Sequence, residues 1–552
     1  MHTIRFLALI LFACNLSAAE TLRLPNIFGP KMVLQQGKPV HIWGWAKAGA
    51  EVKAQFAGQS KSAKADGEGQ WLLLLDKLET SFKGRELVVT SGNEKITLTD
   101  ILVGEVWVCG GQSNMEWSLR SSRDSDLEVA SADSPHIRFI RLPHIARPTA
   151  QEDFPVTDET SSEGNWRQAI PEQVENCTAV GYYFAQRISR RLKVPVGLID
   201  VSWGGTMAQH WVLKDTLKKF PEMQPYHEQF DTAMKAWREG GEEEGADKRY
   251  AADLKAWEKA RAEAKAKGER EPRRPNQNNY TTPANKRQPG GMMNGMILPI
   301  SKMTIAGALF YQGENNSFGT SWKPFHRTFP AVITDWRRVF GDDELPMGLI
   351  QIAGWSTRRS MTYDMNHHTN VIREIQHLTW ARFKNTGLIV TYDTNSNGSI
   401  HPGHKRPVGE RLARWALAEE YHPAISHKSN KPIEWRGPIY GAHEIKDGKV
   451  YINFEGETAR GLRLNKDVAE GFYIAGKDKE FKHGRARIQG SQLVVWHEEI
   501  KEPVAVRYAW SNLPHGTLLN FRELPAYPFR TDNWPLTPHQ STASYEVDKI
   551  SK

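Results

Sequence analysis

The sequence predicts an α/β protein whose central domain carries a mostly parallel sheet, with β-rich regions at both ends. Residues 20–100 contain short apolar runs at regular spacing, separated by turns with Gly and Pro, a pattern typical of a small β-sandwich. Residues 101–425 alternate apolar runs with amphipathic segments, which favours parallel strands joined by helical crossovers. Residues 426–535 return to short strands, and residues 536–552 form a tail.

The N-terminus has the features of a secretory signal peptide over residues 1–19. Arg5 precedes an apolar run from Phe6 to Ala13, and small residues end at Ala19. We expect cleavage after Ala19 and export from a bacterial cell, to the periplasm or the medium. No later stretch approaches the ~20 continuous apolar residues of a spanning helix, so no membrane span is expected.

Charge and cysteine content exclude several classes of function. The net charge of +8 arises from 72 basic and 64 acidic residues spread along the 552-residue chain, so no nucleic-acid partner is expected. Cys109 and Cys177 are the cysteines left after the signal peptide, and we expect buried free thiols in preference to a disulfide. No metal-ligand spacing occurs, and we expect neither a metal nor another cofactor.

The central domain follows a strand–helix alternation with one interruption. Residues 214–290 are rich in Ala, Lys and Glu, and the break at Gly240–Gly241 predicts a helical hairpin inserted into the domain. The expected strands are 101–108, 196–202, 305–311, 347–353 and 386–392, and the expected helices are 174–192, 324–339, 364–384 and 405–420.

Ser113 is the first candidate catalytic residue. It follows the buried run 101–108 and the pair Gly110–Gly111, which allows a sharp turn and a close approach to a ligand. A serine at such a strand end can present both its hydroxyl and its backbone N–H to a substrate. An ordinary strand–turn–helix corner with an N-capping serine would look the same locally.

Four sequence blocks resolve this ambiguity. The stretch Gly-Gly-Gln-Ser-Asn-Met-Glu-Trp at 110–117 resembles the nucleophile block of the sialate O-acetylesterase family, a branch of the SGNH/GDSL hydrolases. Residues 194–206, 309–316 and 400–412 resemble the following blocks, in the same order. The resemblance implies an SGNH-hydrolase domain with a three-layer α/β/α arrangement.

The resemblance also implies catalytic roles. Ser113 would be the nucleophile and His401 the general base, with the neighbouring His404 as a weaker candidate. The oxyanion hole would use backbone N–H groups of Ser113 and of Gly204–Gly205, together with the side-chain amide of Gln312. Asn315 is the alternative amide donor.

The acidic partner of His401 departs from the family pattern. Many relatives have Asp two residues before this histidine, whereas this chain has Ser399. Asp393 is the nearest upstream carboxylate and reaches His401 only if residues 394–400 fold back. Otherwise Ser113 and His401 act as a dyad, with a backbone carbonyl orienting the ring.

The resemblance implies a serine-dependent carbohydrate O-acetylesterase, acting through an acetyl-serine intermediate on an O-acetylated carbohydrate. The family name points to sialic acid, while bacterial relatives often suit acetylated plant or algal polysaccharides. The missing Asp raises an alternative, an inactive carbohydrate-binding protein on a hydrolase fold. A serine peptidase is disfavoured because no Gly-x-Ser-x-Gly elbow surrounds Ser113.

Overall fold

The computed structural model describes residues 21–156, 163–355, 368–395, 399–421, 433–465 and 469–534. The expected signal peptide and the expected tail lie outside the described residues. Within the described residues, an 11-stranded sheet runs through the N-terminal and central regions, and smaller antiparallel sheets form the C-terminal region. The architecture is thus mixed α/β, as predicted. No helix in these ranges is long and apolar enough to cross a membrane.

The N-terminal region is β throughout its regular elements, as the spacing of its apolar runs predicts. The strands are β1 Val33–Gln35, β2 Val40–Trp45, β3 Glu51–Phe56, β4 Gln59–Lys64, β5 Gln70–Leu75, β6 Ser81–Ser91 and β7 Glu94–Gly111. Strands β3 and β5 alternate buried and exposed residues, because one face of each packs on the core.

The 18-residue strand β7 passes without interruption through the expected boundary at residue 100. Its residues from Glu94 to Val103 pair with β6 in antiparallel register, and Leu102–Gly104 pair with β1 in parallel register. Its second half is buried from Leu102 to Gly111 and forms the centre of the next part of the sheet.

The central region supplies the remaining strands of the sheet and its covering helices. The strands are β8 Ser134–Arg141, β9 Arg167–Ala169, β10 Val196–Asp200, β11 Gly307–Tyr311, β12 Met347–Ile350 and β13 Thr386–Ile389. The helices are α1 Ser113–Glu116, α2 Ser125–Ala130, α3 Ala179–Leu192, α4 Lys214–Leu217, α5 Gln224–Glu239, α6 Glu242–Lys267, α7 Phe325–Phe340, α8 Thr369–Arg382 and α9 Arg406–Glu419.

The strand order β13-β12-β11-β7-β10-β8-β9 is parallel except for the antiparallel edge strand β9. Helices cover both faces. The Cβ position of Gly110 points at Trp336 of α7, whereas the Sγ of the preceding Cys109 lies against Gly181 of α3. Because successive residues of a strand face opposite sides of a sheet, α3 and α7 lie on opposite faces.

The strands that follow β7 in the chain, β8, β9 and β10, lie on one side of it in the sheet. The next strand, β11, lies on its other side. In open α/β sheets, ligands bind outside the carboxyl ends of the strands where the order reverses in this way. That point is the carboxyl end of β7, immediately before Ser113.

Helices α5 and α6 form the insertion, and they flank Gly240–Gly241. Gly241 has φ +81°, a conformation that glycine adopts without steric cost, so the pair turns the chain from one helix into the next.

The C-terminal region consists of antiparallel strands. They are β14 Tyr440–Lys446, β15 Lys449–Phe454, β16 Arg463–Leu464, β17 Phe472–Ala475, β18 Phe481–His483, β19 Arg485–Gln489, β20 Gln492–Trp496, β21 Ala505–Tyr508, β22 Leu518–Leu519 and β23 Phe529–Arg530. This region docks on the central sheet through buried hydrogen bonds, among them Tyr527 Oη to the Leu388 carbonyl at 2.5 Å and Tyr392 Oη to Tyr508 Oη at 3.0 Å.

Cys109 and Cys177 are both buried and both free, as expected. Burial raises the pKa of each thiol well above its usual value, and the carboxylate of Asp200 acts in the same direction. Neither cysteine is therefore suited to thiolate chemistry.

Candidate active site

Two glycines bring Ser113 to the sheet edge. Gly111 has φ +120°, and a Cβ at this position would lie 2.1 Å from the Tyr311 carbonyl oxygen, so a larger residue does not fit between β7 and β11. The Gln112 N–H donates to that same carbonyl at 2.9 Å, and the chain then turns into the short helix α1. Ser113 begins this helix and is half-buried.

Ser113 and His401 are in contact. The Ser113 Oγ lies 2.7 Å from the His401 Nε2, a hydrogen bond of the length that a serine nucleophile and its general base require. The indole ring of Trp117 stacks on the His401 imidazole, with 5.3 Å between the ring centroids, and this contact restricts the orientation of the imidazole ring. It is His401, and not the neighbouring His404, that makes the hydrogen bond to the serine.

Ser399 has a structural role beside the base. Its Oγ accepts a hydrogen bond from the His401 backbone N–H at 3.0 Å, which fixes the backbone at the histidine. Burial lowers the pKa of His401 below its usual 6.5, and the Lys405 charge lowers it further, whereas the Glu116 carboxylate raises it. A neutral imidazole at neutral pH can accept the serine proton.

Asp393 does not serve His401 in this structure. Its Oδ1 and Oδ2 accept from the two terminal nitrogens of Arg411 at 2.7 and 2.5 Å. No hydrogen bond joins Asp393 to His401 in the described part of the chain. The nearest upstream carboxylate in sequence is therefore held away, because a bidentate guanidinium pair occupies both of its oxygens.

Glu116 is the carboxylate that the structure places beside the nucleophile and the base. Its Oε2 accepts from the Gly204 N–H at 2.6 Å, and its Oε1 accepts from Arg141 Nη2 at 2.9 Å. Its charge acts on His401. Sequence reasoning missed Glu116, although it lies three residues after Ser113, one helical turn away and thus on the same side of α1.

The backbone donors of the expected oxyanion hole are present, but not all are available. Gly204 lies against the nucleophile, since a Cβ there would be 3.2 Å from the Ser113 Cβ. Its N–H is occupied by Glu116. The N–H groups of Ser113 and Gly205 donate to no described residue, so both are available to a substrate oxygen.

Gln312 is used within the protein. Its Nε2 donates to Gln112 Oε1 at 2.6 Å and to the Thr206 carbonyl at 3.0 Å, and the residue is fully buried. Both amide hydrogens are thus committed, and Gln312 presents none to a substrate in this state. The alternative donor, Asn315, is half-buried and uses its Nδ2 in one hydrogen bond, to the Gly205 carbonyl at 2.8 Å.

A buried polar chain lies directly behind the nucleophile. The Lys405 ammonium donates to Asn114 Oδ1, and Asn114 Nδ2 donates to Glu314 Oε1 at 2.5 Å and to the Ile400 carbonyl at 3.1 Å. Burial lowers the pKa of Lys405 to about 7, and burial raises the pKa of Glu314. The chain connects the residues after β7, after β11 and before α9, and so fixes the three loops relative to one another.

No group of three or more His, Cys, Asp or Glu side chains that could hold a metal ion occurs among the residues that the structure describes. Ser113, His401 and the N–H groups beside them have the arrangement that acyl transfer requires of a nucleophile, a base and oxyanion donors.

No family model matches this chain. The sialate O-acetylesterase of Homo sapiens is 26% identical over 556 residues, which cover 94% of this chain and 92% of that protein. The sialate O-acetylesterase of Mus musculus is 24% identical over 554 residues, with 92% of each chain covered. A crystal structure of a carbohydrate acetylesterase from Xanthomonas citri superimposes with a TM-score of 0.74 at 28% identity, covering 93% of this chain and 100% of that one.

These alignments extend far beyond the four motif blocks and include both β-rich regions. The resemblance predicted from the blocks is therefore confirmed: along nearly its whole length, this chain is similar to the sialate O-acetylesterases in sequence and to a carbohydrate acetylesterase in structure.

Proposed function

We propose that this protein is a carbohydrate O-acetylesterase that hydrolyses acetyl esters on sugar hydroxyls. The observation that carries the proposal is the 2.7 Å hydrogen bond between Ser113 Oγ and His401 Nε2 at the carboxyl end of β7. The similarity to acetylesterases over nearly the whole chain identifies the acyl group as acetyl and the alcohol as a carbohydrate. The central domain is accordingly an SGNH-hydrolase domain flanked by β-sandwich-like regions.

The reaction begins when His401 accepts the Ser113 proton and the serine oxygen attacks the acetyl carbonyl carbon. The oxyanion that forms lies toward the free N–H groups of Ser113 and Gly205, with the Asn315 amide as the side-chain donor. His401 then protonates the sugar oxygen as its bond to the acetyl carbon breaks, which releases the sugar hydroxyl and leaves an acetyl-serine. Water activated by the same histidine releases acetate and restores the serine.

The acid that supports His401 is Glu116 in this proposal, and it acts through space. A negative charge near the ring stabilises the imidazolium that forms in both halves of the reaction. Ser399, which replaces the Asp of many relatives, keeps the backbone of the base in place. The protein can therefore be active even though it has Ser399 where many relatives have Asp.

We propose export to the periplasm or the medium, on the basis of the leader-like residues 1–19. Sialic acid esters and acetylated polysaccharides present the same acetyl ester, so the proposed mechanism is the same for both substrate classes.

The test is acetate release from an aryl acetate, from 9-O-acetylated sialic acid and from acetylated xylan. We expect release by the wild-type protein and none by Ser113→Ala, with the variant's circular dichroism and thermal unfolding unchanged. A protein that binds the glycans and releases no acetate from any ester would instead be the carbohydrate-binding protein considered from the sequence.

A further inference from the structure

A cleft of about 730 Å³ lies between the helical insertion and the loop after β11. One wall is formed by α5 and by residues 283–287, where the chain returns from the insertion. The other wall is formed by Met207, Asn315 and residues 320–324. Asn315 is shared with the proposed acetyl-transfer site, but neither Ser113 nor His401 lines the cleft.

The cleft opens next to the nucleophile. Asn315 is part of its wall and donates to the Gly205 carbonyl at 2.8 Å. Lys286, which lies between the wall residues Asn285 and Arg287 in sequence, places its Nζ 3.4 Å from the Gly204 carbonyl oxygen. Gly204 in turn lies against the Ser113 side chain. The Gly204–Gly205 turn therefore links Asn315 of the cleft wall to the serine that would carry the acetyl group.

The walls offer the surfaces that sugars use. Tyr226 and Phe230 are four residues apart on α5, so both side chains lie on one face of the helix and both line the cleft. Aromatic faces pack well against the C–H faces of pyranose rings. Gln229 and Asn285 line the same cleft and add amide donors and acceptors for hydroxyl groups.

The cleft also carries excess positive charge. Arg287 and Lys323 line it, Lys286 adjoins Arg287 in sequence, and none of the three forms an ion pair within the described part of the chain. Among the described residues that line the cleft, the one carboxylate is that of Glu222, and its Oε1 lies 3.5 Å from His326 Nε2 and 3.6 Å from Arg327 Nε. Unpaired guanidinium and ammonium groups favour a ligand that bears carboxylates.

We propose that this cleft binds the sugar residues next to the acetylated one, in a glycan chain that carries carboxylates. The proposal rests on the proposed function, which places the acetylated sugar at Ser113. It makes the insertion over 214–290 a substrate-binding element that selects an acidic oligosaccharide over a single sugar.

The test compares four substrates: 4-nitrophenyl acetate, an acetylated monosaccharide, an acetylated neutral xylo-oligosaccharide and an acetylated oligosaccharide that contains glucuronic acid. For the wild-type protein, we expect the highest kcat/KM among the sugars on the acidic oligosaccharide. Phe230→Ala lowers that value about tenfold, mainly through KM, because the aromatic contact is lost. Arg287→Gln lowers it on the acidic oligosaccharide and not on the neutral one.

Matched controls separate the cleft from general effects. Phe82→Ala removes a phenylalanine that is 51% exposed on the N-terminal sheet, and Arg273→Gln removes an exposed arginine of the insertion outside the cleft. Neither changes any of the four values. All variants keep the wild-type rate on 4-nitrophenyl acetate, which is too small to reach the cleft.

The outcomes distinguish the two proposals. If the wild-type protein cleaves no ester, the proposed function fails and this inference fails with it. If 4-nitrophenyl acetate is cleaved, but single sugars and oligosaccharides give equal kcat/KM and Phe230→Ala changes neither, the cleft is not a glycan site and the proposed function stands. If kcat/KM is equal for the neutral and the acidic oligosaccharide, the cleft does not select a glycan that carries carboxylates, and that part of the proposal is wrong.

Discussion

Glu116 and Gly204 are joined by a hydrogen bond of 2.6 Å between the carboxylate Oε2 and the backbone N–H. A carboxylate thus occupies a backbone donor that the sequence assigned to the oxyanion hole. The same carboxylate acts on His401, and Arg141 holds its other oxygen. The Glu116 side chain thus connects the turn after β10, through the Gly204 N–H, with His401, through its charge.

The first prediction concerns the pH dependence of the base. His401 must be neutral to accept the serine proton, so kcat/KM falls as the pH drops through the His401 pKa, which lies below its usual 6.5. Because the Glu116 charge raises this pKa, Glu116→Gln lowers it and moves the acid limb to lower pH. The kcat of the variant falls about tenfold, since the imidazolium loses a stabilising charge.

Asp393→Asn is the matched comparison, measured as kcat/KM from pH 4 to 9. Both oxygens of Asp393 bind Arg411, so its neutralisation leaves the acid limb in place. If the acid limb of the kcat/KM profile shifted in Asp393→Asn and did not shift in Glu116→Gln, Asp393 and not Glu116 would be the carboxylate that supports His401.

The second prediction separates the two histidines near the nucleophile. His401→Ala lowers kcat roughly 1,000-fold, because it removes the general base. His404→Ala changes kcat less than twofold, since the Ser113 hydroxyl is bonded to His401. Steady-state kinetics on an aryl acetate measure both, and equal losses from the two substitutions would contradict the assignment of the base.

The third prediction distinguishes Asn315 from Gln312. Asn315→Ala lowers kcat about 100-fold with little change in KM, because a donor to the oxyanion is lost. Gln312→Ala instead lowers the free energy of unfolding by about 2 kcal/mol, because it leaves buried acceptors on Gln112 and Thr206 without their donor.

Urea unfolding and steady-state kinetics of the same two proteins measure both quantities. A Gln312→Ala variant with wild-type stability and a large loss in kcat would show that Gln312 turns toward the substrate when it binds.

The fourth prediction concerns the buried lysine behind the site. The Lys405 pKa is about 7 in the folded protein, against a usual value of 10.5. Between these two values the unfolded chain binds more protons, so the cost of burying the charged lysine falls and the stability of the folded protein increases as the pH rises from 7 toward 10.5. Lys405→Met removes this pH dependence.

We therefore expect the difference in unfolding free energy between wild type and Lys405→Met to grow in favour of the wild type from pH 7 to pH 9, as measured by urea unfolding. The exposed Lys53→Met serves as the control and gives a constant difference. A constant difference for Lys405→Met as well would mean that the lysine does not titrate in this range.

Much of the central domain could be predicted from periodicity. The helix expected at 324–339 is α7, Phe325–Phe340, and the one expected at 405–420 is α9, Arg406–Glu419. Strand β8, Ser134–Arg141, was missed because Arg138 interrupts its apolar run. That guanidinium is accommodated by Asp100, 2.9 Å away and far in sequence, which a local pattern cannot reveal.

The residues of the site also divide into those that could be predicted from the sequence and those whose contacts depend on the fold. Motif resemblance gave Ser113 and His401, which the fold brings into contact. Distance along the chain favoured Asp393, but its pairing depends on Arg411 of α9, a contact that only the folded loop defines. The occupancy of the Gln312 amide likewise depends on Gln112 and Thr206, which come from the ends of other strands.

Strand β7 has a consequence for the modularity of the protein. Because one uninterrupted strand belongs to both the N-terminal and the central parts of the sheet, the two parts share a backbone ladder and cannot be separated at residue 100 without exposing unpaired edges on both. The N-terminal region is therefore not an independent domain that could be removed or exchanged at residue 100. It shares β7 with the central region, and this strand ends at Gly111, two residues before Ser113.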